Sequence, residues 1–288
     1  MLDMTKRARA GIRGYMTRRP VMRLALLLGV VALSSAALAG AAPLGAITEF
    51  TAPGSNPAQV VAGSDGNLWF SDRSGAVGRI TTGGTVTEFT SGLNQGSAVR
   101  SIAMGPDGNI WFSDPGTTTG APKAIGMIDP TTHAISEFSL PASSMPLGIA
   151  AGPDGNVWFT DSGATKAIGM INPTTHAITE FSAGLAGSNL QQGLVAGPDG
   201  NLWFTDEGAT KAIGMINPTT HAISEFGISN GLNPGSLPGA SIVVGPDGAL
   251  WFMDGGTPQA IGRIDPTTHA ISEFSIGLTW APAWAGSR

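Results

Sequence analysis

The chain contains no cysteine, a single tyrosine (Tyr15) and only 12% charged residues. Without cysteine it has no disulfide framework, no thiolate metal site and no thiol nucleophile. No Gly-rich phosphate loop, no Ser/His/Asp set and no His-Glu-x-x-His pair occurs along its 288 residues. Apolar runs are short. The longest, Leu24 to Leu33, is about half the ~20 residues a membrane helix needs, so no stable membrane span is expected.

What charge there is lies unevenly. Seven of the fifteen Lys and Arg residues fall in the first 23 positions: Lys6, Arg7, Arg9, Arg13, Arg18, Arg19 and Arg23. The apolar run follows, and then Ala37-Leu38-Ala39, an A-x-A cleavage pattern. Residues 1–39 read as a signal peptide, with cleavage before Gly40 and a secreted, periplasmic or cell-envelope destination. Thr17–Arg23 loosely matches a twin-arginine signal. An ordinary secretory n-region holding two arginines is the preferred reading, and Met16 or Met22 are alternative starts. The remainder, 40–288, carries 8 Lys+Arg and 19 Asp+Glu, a net charge of 8 − 19 = −11. That balance argues against nucleic acid and anionic membranes as partners.

Glycine is plentiful, 42 residues, and sits at fixed places in a repeat. Residues 152–181, GPDGNVWFTDSGATKAIGMINPTTHAITEF, return at 197–226 with 27 of 30 positions identical. Diverged copies place the motif Trp at 69, 111 and 251, beside Trp158 and Trp203, with steps of 42, 47, 45 and 48 residues. Each copy reads as four short strands joined by turns: Leu147–Ala151, Val157–Thr160, Ala167–Ile171 and Ala177–Phe181. Pro153-Asp154-Gly155-Asn156 and Asn172-Pro173-Thr174-Thr175-His176 supply turn chemistry. A four-stranded meander cannot bury both faces alone, so the copies must stack. A period in the forties with strand content predicts an all-β propeller of four-stranded antiparallel blades. The first strand of each would be innermost, and the Trp-Phe pair would fill the space between sheets. The repeats lie near 57–89, 99–138, 146–181, 191–226 and 239–274, with an apolar tail at 275–288. Ile47–Phe50 matches a fourth strand without its first three.

Two sets of side chains recur. His133, His176, His221 and His269 all sit in Pro-Thr-Thr-His-Ala-Ile, where the first copy has Gly84. This points to a turn needing positive φ, toward the outside of the wheel, rather than to a metal ring. The aspartates after Trp-Phe are Asp72, Asp114, Asp161, Asp206 and Asp254, with Glu207 following Asp206. They end the second strands on one face. As a ring they would hold a divalent cation, with Asp161, Asp206 and Glu207 as the metal candidates. As caps they would bind backbone N–H groups of the following loop, which accounts for all five at once. Arg100 is the one cation at the start of an innermost strand. It would attract a ligand carboxylate, or else pair with Asp72 or Asp114. Lys123, Lys166 and Lys211 border the same face.

The string GPDGNLWFTD…IG.I……ITEF resembles the virginiamycin B lyase (streptogramin lyase) family over about residues 47–274. The resemblance implies a seven-bladed propeller and a Mg²⁺-dependent elimination that opens the ester linkage of a cyclic depsipeptide antibiotic. It further implies a Glu-Pro-His-Gly stretch opening an innermost strand, with His as base, another His one blade earlier, and a metal-binding Glu after Trp-Phe. This chain departs from that pattern. The matching stretch is Met145-Pro146-Leu147-Gly148, the other copies have Ala58, Arg100, Gln192 and Ala240, and Asp replaces Glu.

These readings predict an exported, lyase-like propeller that binds a small molecule or a protein partner on the face of Arg100 and the five aspartates. Two alternatives stand beside it: an active Mg²⁺-dependent lyase with a rearranged site, and a structural cell-envelope module. Five full units are fewer than seven. An incompletely closed wheel is therefore expected, monomeric or pairing through an open blade, with the tail or a second chain against the exposed sheet.

Overall fold

The computed structural model describes residues 48–275, apart from Pro53, Thr118, Thr119 and Ala186. Two units divide the chain, Met1–Pro53 and Gly54–Arg288. Of the first, Thr48–Ala52 carry no regular secondary structure. The lone strand expected at Ile47–Phe50 is thus not formed over Thr48–Phe50, because a strand without a ladder partner has nothing to fix its backbone. Ile47, the expected leader and the tail beyond Ser275 lie outside the described residues.

The second unit is five sheets, each of four antiparallel strands in chain order. Blade 1 is β1 (Pro57–Ala62), β2 (Leu68–Asp72), β3 (Ala76–Ile80) and β4 (Val86–Phe89). Blade 2 is β5 (Ile102–Met104), β6 (Ile110–Asp114), β7 (Lys123–Ile128) and β8 (Ile135–Leu140). Blade 3 is β9 (Pro146–Ala151), β10 (Val157–Asp161), β11 (Ala167–Ile171) and β12 (Ile178–Phe181). Blade 4 is β13 (Leu190–Ala196), β14 (Leu202–Asp206), β15 (Ala212–Ile216) and β16 (Ile223–Phe226). Blade 5 is β17 (Pro238–Val244), β18 (Leu250–Asp254), β19 (Ala260–Ile264) and β20 (Ile271–Phe274), after a short 3₁₀ turn at Ile228–Asn230. The first strands are innermost. Gln59, Ile102, Ile149, Gln192 and Ile242, one from each blade, line a common cavity of about 290 Å³.

Strand alternation decides what fills the space between blades. Trp158 and Thr160 face one way along β10, and Val157, Phe159 and Asp161 the other. Trp158 enters a cluster with Phe204 and Leu202 of blade 4. Trp69 meets Phe112, Trp111 meets Phe159 and Trp203 meets Phe252 in the same way. Each interface therefore joins the Trp face of one blade to the Phe face of the next. Burying one such aromatic side chain removes about 150–250 Å², worth at most about 4–6 kcal/mol. The Phe ring lies across the third strand, which must be bare there. Gly169 pairs with Phe159, and a Cβ on it would stand 2.1 Å from the ring tip. Each indole Nε1 donates to the aspartate of its own turn, as Trp158 does to Asp154 at 3.0 Å.

Two further ties cross the interfaces. The four histidines adopt φ of 59 to 61°, in the left-handed region. Each stacks on the fourth-strand Phe of the preceding blade: His133 on Phe89, His176 on Phe138, His221 on Phe181 and His269 on Phe226, at 4.1 to 4.6 Å. Second-strand hydroxyls donate to the next innermost strand, Ser71 to the Arg100 carbonyl, Ser113 to that of Leu147 and Thr160 to that of Gln191.

The end blades differ from the middle ones. Among the described residues no hydrophobic cluster joins blade 5 to blade 1. Leu68 is 47% exposed, whereas Ile110, Val157, Leu202 and Leu250, at the same register, are fully buried. On the opposite face of blade 5, Met253 is 40% exposed where the other blades bury a Ser or Thr, and Phe274 is 50% exposed.

Candidate ligand-binding face

The five aspartates that end the second strands are buried, not displayed around a channel mouth. Asp161 Oδ1 accepts the N–H of Met145 at 2.6 Å and of Gly163 at 2.7 Å. Asp72 takes those of Asn56 and Ser74, and Asp114 those of Ala98 and Gly116. Asp206 takes Asn189 and Gly208, and Asp254 takes Leu237 and Gly256. Each carboxylate ties the loop after its strand to the segment that enters the innermost strand. Loop capping is what these oxygens do.

Three of these aspartates lie beside a second carboxyl that the sequence reading missed. Glu137, Glu180 and Glu273, on the fourth strands, lie against Asp114, Asp161 and Asp254. Burial, with Asp114 adjacent, pushes Glu137 up to about 7. Burial and the Asp161 charge push Glu180 up to about 6. Burial raises Glu273 too, while its hydrogen bond to Asp254 helps hold that aspartate low against its own burial. Asp114 Oδ2, Asp254 Oδ2 and Glu137 Oε1 are buried without a donor, and a proton kept on the Glu would satisfy them. The signal was available in period-2 alternation: Asp161, Phe159, Gly169 and Glu180 share one face of the sheet.

These groups do not suit a divalent cation. Among the described residues no three His, Asp or Glu side chains converge on one point. Asp161 and Asp206 belong to different blades, and each already accepts two N–H groups through Oδ1. Glu207 is raised by burial, with Lys211 pulling the other way. The positions matching the family base hold Leu147, which is buried, and Ala58, Arg100, Gln192 and Ala240. Gln192 reaches across the centre to Ser101 Oγ at 3.2 Å. The histidines stand in the turns between third and fourth strands, stacked on phenylalanines.

Arg100 lies on the loop face, and the alternative of pairing with an aspartate is not what it does. It pairs with neither Asp72 nor Asp114, and its Nε is buried with no acceptor. With Lys123 and Lys166 it lines a cleft of about 530 Å³ between blades 2 and 3, on the loop face. Among the described residues no helix is long and apolar enough to cross a membrane.

The fold and these positions can be set beside known proteins. The model of the virginiamycin B lyase family matches residues 34–186 and 98–285. Among solved structures, a catalytically inactive histidine-to-alanine variant of virginiamycin B lyase from Staphylococcus aureus, with quinupristin, is 32% identical, with TM-score 0.68. The likeness covers 80% of this chain and 73% of that one. The selenomethionine-substituted lyase from the same organism gives 32% identity, 81% and 74% coverage, and the same TM-score. A puromycin-hydrolyzing peptidase from Mycobacterium tuberculosis, 15% identical with TM-score 0.60 over 80% of this chain and 38% of that one, shares the fold alone. No curated protein matches the chain. With both matched stretches together spanning most of the sequence, the chain belongs to the virginiamycin B lyase family.

Proposed function

We propose that this chain is an exported, non-catalytic member of its family that binds a small molecule on the loop face. The observation that carries this reading is the residue set where a base belongs: Leu147, Ala58, Arg100, Gln192 and Ala240. An elimination needs a group of suitable pKa within hydrogen-bond reach of the proton removed. Leucine, alanine and glutamine do not titrate, and arginine stays charged. Export rests on the basic, apolar and A-x-A pattern of residues 1–39.

The second reading, an active lyase with a rearranged site, is favoured by the 32% identity to virginiamycin B lyase. Quinupristin linearisation with Mg²⁺ present separates the two. The expected result is binding or no interaction, without ring opening. Turnover of about 1 per second or more, typical of enzymes, establishes the second reading instead. N-terminal sequencing of the exported protein is expected to start near Gly40. A protein retained in the cytosol with Met1 intact removes the export half of the proposal.

A further inference from the structure

The cleft between blades 2 and 3 concentrates positive charge in an acidic protein. Residues 40–288 hold eight Lys and Arg against nineteen Asp and Glu. Three of the eight, Arg100, Lys123 and Lys166, line this one cleft, together with the small polar residues Thr117, Ser143 and Ser162. A fourth, Arg73, lies near enough to Arg100 to act on it electrostatically. Among the described residues no acidic side chain lines the cleft.

The fold supplies the comparison. Lys123, Lys166 and Lys211 occupy one register position in blades 2, 3 and 4, each just before the third strand's first alanine. In blade 4 the residue after the buried Asp206 is Glu207, whose charge interacts with Lys211. In blades 2 and 3 the residues after the buried aspartate are Pro115 and Ser162, which bring no charge. Arg100 has no counterpart either, since Leu147 and Gln192 hold its place in blades 3 and 4. Glu207 is the one acid at this place in the five blades, so Lys211 has an acidic neighbour that Lys123 and Lys166 lack, and Arg100 adds a cation beside those two alone. Lys166 spends part of its donor capacity on the carbonyls of Ser162 and Gly163 at 2.5 and 2.7 Å, which fixes its ammonium at the cleft. Arg100 is held differently. Its Nε is buried and unpaired, and burial, followed by the charge of Arg73, draws its pKa below the usual arginine value. Arg100 is half-buried, and a guanidinium whose Nε is shut away from water without an acceptor is less costly when an anion completes it.

We infer that the blade 2–blade 3 cleft is a binding site for a small organic anion carrying at least two negative charges, with Arg100, Lys123 and Lys166 as its ligating groups. The inference rests on the reading of the loop face as ligand-binding, and it names the ligand's chemistry. Arg100 offers a planar fork suited to two oxygens of one phosphate or carboxylate, and the lysines act as point charges on a second group. A volume of about 530 Å³ admits a molecule of sugar-phosphate or tricarboxylate size.

The test is titration calorimetry of the full chain with pyrophosphate and with citrate, at low and at physiological salt, with glucose as the uncharged control. Pyrophosphate or citrate is expected to bind with one site, and glucose is not. Which of the two binds tighter assigns the group as phosphate or carboxylate. Arg100→Gln is expected to weaken binding about 10–100-fold, the worth of a hydrogen bond to a charged group, and Lys166→Gln to weaken it as well. Lys211→Gln, one interface away, is expected to leave it within about twofold. Thermal melts of the variants check folding, and Lys166→Gln carries the test alone should Arg100→Gln fail to fold. No binding of either anion at millimolar concentration overturns the inference. So does binding that Arg100→Gln and Lys166→Gln leave unchanged, or that Lys211→Gln reduces equally. Quinupristin turnover bears only on the proposed function and leaves the anion site standing.

Discussion

Leucine-to-alanine replacement at one register position, made in two blades, measures whether the end sheets are covered in solution. Leu202 on β14 is fully buried in a cluster with Trp158, Ile168, Leu190, Leu194, Phe204 and Ile216. Leu68 holds the same place on β2 and is 47% exposed. Removing a buried leucine side chain costs about 2–5 kcal/mol, as lost transfer energy plus the cavity left behind. Among the described residues no preceding blade walls Leu68 in, so its truncation leaves little cavity, and about half its surface already meets water. Its truncation is worth about 1 kcal/mol or less. For a unit of this size each kcal/mol moves Tm by about 2–4 °C. Leu202→Ala is therefore expected to lower Tm by roughly 4–20 °C, and Leu68→Ala by a markedly smaller amount, no more than about 4 °C. Thermal unfolding followed by circular dichroism at two protein concentrations is the assay. Equal losses at the two sites would refute the reasoning and place another surface over blade 1. If the Leu68→Ala loss also grows with protein concentration, that surface is a second copy.

Further outcomes follow from the carboxyl pairs and the stacked histidines. Glu137 has its folded pKa raised to about 7 from 4.5, so its contribution is fully present below the unfolded value and is lost as pH climbs through 7. Tm is expected to be higher near pH 5 than near pH 8, and Glu137→Gln to flatten that slope; an unchanged slope counts against the shared proton. His176→Asn keeps a residue that tolerates positive φ but loses the stack on Phe138 at 4.2 Å. A destabilisation of about 0.5–1.5 kcal/mol is expected, with no change in Mg²⁺ titration. Loss of a metal signal in that variant would restore the metal-ring reading.

The strands were legible in the repeat because propensity, alternation and turn chemistry agree at each copy. The second and third strands begin where the pattern places them, and the first and fourth differ by one residue, within the usual fraying of ends. Stacking of copies was legible too, because a meander with a Trp on one face and a Phe on the other has two faces to bury. What each repeated residue touches in the next blade was not. A histidine at positive φ reads correctly as a turn, but its ring position depends on how neighbouring sheets pack. Only the structure puts it on Phe138 or Phe226. The glycine at the centre of each third strand reads as a weak strand former. Its reason is the Phe ring crossing from the second strand.

The candidate site was legible in the opposite sense, through departures from the repeat. Residues that recur in every copy answer to something every blade needs, so the five aspartates turn out to cap loops, and three of them lie against a fourth-strand glutamate. Arg100 recurs nowhere and serves no such need. Glu207 beside Lys211 is the other exception, and Lys123 and Lys166 have no such acidic neighbour. In a chain built by copying one unit, a ligand contacts only some blades, and its demands appear as exceptions. On that ground the Arg100 cleft, rather than the aspartates, is the place to test for a ligand. The contrast between repeat and exception also explains why the sequence, read for its repeats, directed attention to the aspartates first.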